Sequence, residues 1–188
     1  MDRPRVFAML LLAAVLQSCL PLPLHPVYRD EELVCAPALL GTWEAAGGEE
    51  TCRFEKSQGE KYRLTITDDA GKKVAFCAAL TTIDTMLFLD LSPSSFDTIL
   101  SVYHTLHFVP GHSFCKVGYT DTTLRMAMMS VKWLRGLLRQ KPHLLDCEDV
   151  SGALVITSGT EQVRGFLRGY AGDSLAFGAP TVFRKQGG

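Results

Sequence analysis

Lys61-Tyr62-Arg63-Leu64-Thr65-Ile66-Thr67, then Asp68-Asp69-Ala70-Gly71, then Lys73-Val74-Ala75-Phe76-Cys77-Ala78-Ala79-Leu80 is the stretch that decides the fold class. In its first run Tyr62, Leu64 and Ile66 alternate with Lys61, Arg63 and Thr65. A period of two puts each set on its own side of a strand. The Asp-Asp-Ala-Gly run has the residues that turns use. The third run places Val74, Phe76, Ala78 and Leu80 on one side. The reading is an antiparallel hairpin with one apolar face. Upstream, Cys52 and Phe54 face inward in Thr51–Glu55, with Arg53 and Glu55 outward. Downstream, Met86–Leu91, Tyr103–Val109, Phe114–Tyr119, Leu124–Ser130, Ala153–Thr157 and Thr181–Lys185 read as further strands. Many short strands separated by turn signals predict an antiparallel sandwich or barrel.

Two amphipathic helices are inserted before the last strands. Ser130 caps the first, which carries Val131, Leu134, Leu137 and Leu138 on one side and Lys132, Arg135 and Arg139 on the other; Pro142 stops it. In the second, Ser158 and Glu161 have capping-box spacing. Val163, Phe166, Leu167 and Tyr170 then fall at helical spacing, and Gly172 suits the C-terminal cap.

The chain has 188 residues and a net charge of -1, so no overall field attracts nucleic acid. Arg3 and Arg5 precede an uninterrupted apolar run from Val6 to Leu16, the pattern of an export signal. Leu16-Gln17-Ser18-Cys19 follows and resembles the lipobox of bacterial lipoproteins. The resemblance implies a signal peptide over 1–18 and a diacylglycerol thioether on Cys19, with palmitate-type acyl chains as the anchor. Leu20, in place of Asp, implies sorting to the outer membrane in a Gram-negative host. Pro21, Pro23, Pro26 and Pro37 favour an extended linker over 19–38, kept solvated by Asp30, Glu31 and Glu32, with His25 exposed in it. The domain is then expected over 39–188.

Gly41-Thr42-Trp43 opens the strand series and resembles the G-x-W that begins lipocalin and other calycin barrels. The resemblance implies a lipocalin-like β-barrel whose Trp43 closes one end against a basic residue near the last strand, here Arg184. Thr120-Asp121-Thr122 departs from that family's T-D-Y turn, and the helices precede the final strand instead of following it. The stretch from Leu40 to Leu91, with the helix near Trp133 and Ala176-Phe177-Gly178, also resembles a group of uncharacterised bacterial secreted proteins.

A barrel of about eight strands either fills its interior or holds one ligand. The first reading is non-enzymatic binding of a small apolar ligand lined by Tyr62, Leu64, Phe76, Leu124 and Met126. Its rival is a structural or protein-interaction module of the envelope with a filled core. With Cys19 acylated, Cys35, Cys52, Cys77, Cys115 and Cys147 remain, and export permits disulfides. Cys52 and Cys77 point to opposite sides of the sheet, while Cys35 and Cys147 lie outside the strands and are freest to meet. His104, His107 and His112 are read as surface or turn residues, with one of the three as a general base for Cys115 the bolder reading. No G-x-S-x-G elbow, phosphate loop or C-x-x-C is present, so no catalytic residue, metal or cofactor is expected. Ser158-Gly159-Thr160 at a helix start could take an anion, and the basic side of the first helix could meet anionic lipid, although a plain cap and a solvated face explain them.

Overall fold

The computed structural model describes residues 20–48, 50–94 and 111–187. The chain is mainly β. It opens with a short strand, β1 (Leu22–Pro23), followed by β2 (Gly41–Ala45), β3 (Thr51–Lys56), β4 (Tyr62–Thr67), β5 (Lys73–Ile83), β6 (Met86–Pro93), β7 (Ser113–Tyr119) and β8 (Thr123–Met128). Helix α1 (Val131–Gln140), β9 (Cys147–Val150), β10 (Ala153–Ile156), helix α2 (Thr160–Tyr170) and β11 (Thr181–Lys185) complete it. Strands β2 to β8 pair in sequence, and β11 closes the ring between β8 and β2, so eight antiparallel strands form a closed barrel. The expected strand over Tyr103–Val109, with His104 and His107, lies outside the described residues.

The decisive hairpin forms as the alternation predicts: Leu64 pairs with Phe76 and Ile66 with Val74. The turn between them is closed by Asp68, whose side chain accepts the Lys72 N–H at 2.8 Å, and Gly71 takes the positive φ of 77° that the turn needs. Strand β5 then runs three residues beyond the expected end at Leu80. From Ala78 to Thr81 every residue is buried, and so are Phe88 to Leu91 of β6. Alternation stops there because both sides of this wall are covered, a pattern that gives near-continuous apolar sequence.

Two cores result. Inside the barrel lie Trp43, Cys52, Phe54, Tyr62, Leu64, Leu80, Leu89, Cys115, Leu124 and Phe183. Outside, Ile83, Phe88, Phe114, Ala127 and Met129 turn away from the barrel axis and meet α1, α2 and a small three-stranded sheet in the order β1-β10-β9. The sheet contributes Leu154 and Ile156 to this outer core. Each such side chain adds about 1.5–3 kcal/mol on full burial.

Four expectations are corrected. Segment 20–38 is not a solvated spacer: Leu22 and Pro23 pair with Val155 and Ile156, Leu33 bridges to Thr81, and Val27 and Leu39 are completely buried. The domain therefore takes in the chain from Leu22. The segment is extended at β1 and makes single 3-10 turns at Asp30–Glu32 and Pro37–Leu39; Val27 joins the outer core, and Ala36 and Leu39 join the barrel interior. Secondly, Ser158 does not cap α2. It is buried and accepts the Asp146 N–H at 2.7 Å, leaving Gly159 as an N-cap without a side-chain bond. Thirdly, Ala171, in right-handed helical conformation, ends α2 where Gly172 was expected. The fourth concerns Arg184. Residues alternate along β11, so Phe183 points inward and Arg184 out to solvent, while Lys185 stands opposite Trp43. The Lys185 ammonium lies 5.1 Å from the Trp43 ring and donates to the Ala38 carbonyl at 2.8 Å. Trp43 Nε1 donates to the Leu39 carbonyl at 2.8 Å. The basic partner is one residue later than the resemblance implied.

Trp43→Ala should lower stability by about 3–5 kcal/mol, as for large aromatics in cores. Lys185→Ala should lose less, and a double-mutant cycle by chemical denaturation should give a coupling of about 0.5–2 kcal/mol, the range of a cation–π contact. Arg184→Ala should change stability by less than about 0.5 kcal/mol, as exposed positions do. Coupling of Trp43 to Arg184 instead of Lys185 would contradict this assignment.

Candidate functional site

The two ends of the barrel differ. At the end where β2 and β4 begin, residues 34–40 cross the opening. The Tyr62 hydroxyl accepts the Ala36 N–H at 2.5 Å and lies 3.4 Å from the Val34 and Ala36 carbonyls. Burial pushes its phenol up to about 12. Tyr62 thus fastens the segment that covers this end. Leu64 and Leu124 are completely buried among interior side chains. At the other end, where β5 and β11 begin, Phe76 and Met126 are half-buried, as are Ile66 and Met128, and Val74 is 46% exposed. Of the five residues expected to line a ligand, three therefore pack in the filled middle and floor, and two reach the open end.

The thiols are not brought together: Cys35, Cys52, Cys77, Cys115 and Cys147 are all free. Burial raises Cys52 and Cys115 to about 12 and Cys147 to about 11, so these thiols stay protonated and unreactive near neutral pH. Cys19 lies outside the described residues.

His112 is not a surface residue. Its Nδ1 is 2.6 Å from Asp90 Oδ1, with only 1% of the Asp90 side chain and 15% of the His112 side chain exposed. Asp90 pairs with Phe114 on the outer side of the barrel wall, whereas Cys115 faces the interior with Leu89. His112 shares the parity of Phe114, so it cannot serve Cys115 as a base. Among the described residues no hydroxyl or thiol bonds to His112, and no cluster of His, Cys, Asp and Glu has metal-binding geometry.

What Asp90 and His112 do hold is the N-terminal segment. Asp90 Oδ2 accepts the Val27 N–H at 2.8 Å, and the His112 N–H donates to the Pro23 carbonyl at 2.8 Å. Helix α2 grips the same residues. The Thr160 hydroxyl donates to the Pro26 carbonyl at 2.8 Å, and Arg164 donates to the Val27 carbonyl at 2.9 Å and to the Glu32 carboxylate. Arg29 bonds Glu161 and Glu32, and it holds the Glu161 carboxyl below the usual glutamate range. At the start of α2, where an anion seat is the bolder expectation and a plain cap the simpler one, the Thr160 hydroxyl holds a backbone carbonyl. Two signals in the sequence point to this network: an acid alone within Leu87-Phe88-Leu89-Asp90-Leu91, and Arg164 among the apolar residues of α2. A buried charge needs a partner, and the chain offers the strap's backbone and Glu32.

Two surface recesses are lined by described residues. One of about 490 Å³ lies at the foot of β2 and β3, lined by Gly41, Thr42, Arg53, Phe54, Lys185 and Gln186 among others. One of about 280 Å³ separates α1 from β9, between Arg139, Leu138, Cys147 and Asp149. Arg135 beside it is bonded to Asp149 at 2.5 Å and to the Gly152 carbonyl at 3.0 Å, while Lys132 and Arg139 are exposed.

Asp90→Ala should destabilise the domain by about 1–3 kcal/mol by leaving the Val27 N–H and the His112 ring without their acceptor. Limited proteolysis should then cut first between Leu22 and Leu33. A variant as stable as the parent and equally resistant there would contradict the role given to Asp90.

Compared with protein-family models, curated proteins and solved structures, the chain matches none.

Proposed function

We propose that this is an exported, lipid-anchored protein of the bacterial cell envelope, with a non-enzymatic barrel that acts as a filled scaffold and works through its surface. The reading of residues 1–18 as a signal peptide followed by a lipidated Cys19 supplies the export and the anchor, to the outer membrane in a Gram-negative host. The observation that supports a scaffold is the interior itself: Trp43, Phe54, Tyr62, Leu64, Leu80, Leu89, Leu124 and Phe183 are each less than 2% accessible. Side chains that touch no water-sized void leave no room for a guest among them.

A second reading keeps the small apolar ligand and moves it to the open end. Its support is the half-buried group Ile66, Phe76, Met126 and Met128 beside the exposed Val74. Methionines adapt to irregular apolar guests.

Native mass spectrometry of the delipidated protein, after incubation with an envelope lipid extract, separates the two. The scaffold reading expects the bare mass. A retained lipid lost on Phe76→Asp or Met126→Asp would favour the ligand. The anchor is tested by partition: Cys19→Ser should move the protein from the detergent phase to the aqueous phase and end palmitate labelling. Continued labelling would overturn the lipidation of Cys19.

A further inference from the structure

The N-terminal segment leaves almost no tether. Cys19 precedes Leu22 by three residues, and Leu22 is already hydrogen-bonded into the small sheet beside Val155. Three residues span at most about 11 Å. A lipid on Cys19 must therefore hold the β1 edge of that sheet at the headgroups, because the strap that follows is fixed by Asp90, Thr160 and Arg164.

The sheet presents a suitable face there. Its inner side gives Leu154 and Ile156 to the outer core. Register puts Leu22, Val155 and Glu148 together on the outer side, with Ala153 and Val150. Leu22 is 37% and Val150 51% exposed, and these are two of the four large hydrophobic residues exposed among those described. Glu148 is the charged residue of this face. Along the β9 edge, α1 carries the exposed cations Lys132 and Arg139 in the same helical row as Arg135.

We infer that the outer face of the β1-β10-β9 sheet lies flat on the membrane that holds the anchor, with Leu22 and Val150 at the acyl–headgroup boundary and Lys132 and Arg139 toward anionic headgroups. This rests on the lipid-anchor reading. It replaces a domain swinging on a spacer with one docked in a single orientation. The barrel wall formed by β3 and β4, with exposed Arg53, Glu55 and Arg63, then faces away from the bilayer.

The full lipidated chain, reconstituted in vesicles of phosphatidylethanolamine with a minority of phosphatidylglycerol, provides the test. A spin label is attached through a ketone side chain introduced at position 150, at 22 or, as the reference, at 63, so the native cysteines stay untouched. Collision rates with oxygen, which concentrates in lipid, and with a water-soluble nickel chelate report immersion. The oxygen-to-nickel ratio should be several-fold higher at 150 and 22 than at 63. Unchanged thermal melting of each labelled chain confirms its fold. Intact mass reads lipidation separately. Equal ratios at the three positions on a chain whose mass shows the acyl groups would overturn the docked orientation and leave the anchor standing. A mass without acyl groups would overturn the anchor, and the orientation with it.

Discussion

The barrel wall made by β5, β6, β7 and β8 is apolar on both sides, and the rest of the molecule is organised to cover its outer surface. A barrel in water needs only its interior filled. Here Ile83, Phe88, Phe114, Ala127 and Met129 also point outward and must be removed from water. Helices α1 and α2, the small sheet and Val27 do this, and they arrive from two separate parts of the chain, the N-terminal segment and the insertion between β8 and β11.

That second layer explains the treatment of the N-terminal strap. An extended segment with four prolines offers backbone carbonyls and few internal partners for them. Asp90, His112, Thr160 and Arg164 satisfy the strap at Pro23, Pro26 and Val27, and the strap in turn satisfies two charges that the outer core would otherwise strand. Parting the two would leave buried polar groups without partners, at about 1–3 kcal/mol each. The mutual need makes residues 22–33 part of the domain despite the distance in sequence from α2.

The barrel was legible wherever one side of a strand faces water. Tyr62, Leu64 and Ile66 alternate cleanly with Lys61, Arg63 and Thr65, and the strand forms with those faces; Thr181–Lys185 forms as a strand, but Arg184 faces solvent and not Trp43. Alternation fails for Ala78–Ile83 and Leu87–Leu91, where a second core removes the contrast, and so the outer layer was not visible. The strap's packing is not legible, because proline content reports extended backbone and says nothing about what that backbone touches. Ser158 has the spacing of a cap, yet its hydroxyl serves Asp146 across the loop, a contact that no local pattern encodes. The one-residue difference between Arg184 and Lys185 is decided by strand parity, which Phe183 already fixes: an inward Phe183 requires Lys185 inward too. Of the residues expected to line a ligand, Phe76 and Met126 are told apart from Tyr62, Leu64 and Leu124 only by their height in the barrel, which register sets.

The picture is a two-layered barrel whose interior is occupied, whose buried thiols are held protonated, and whose N-terminal strap is fixed to its outer layer. Amide hydrogen exchange of the full chain measures the strap most directly. Leu24, Val27 and Val34 donate their N–H groups to Ile156, Asp90 and Leu80. Their exchange should be protected to a degree comparable with β10 and β5, and should follow the global opening of the domain. Exchange of these three amides at the rate of an unstructured linker, with the barrel still protected, would contradict the account.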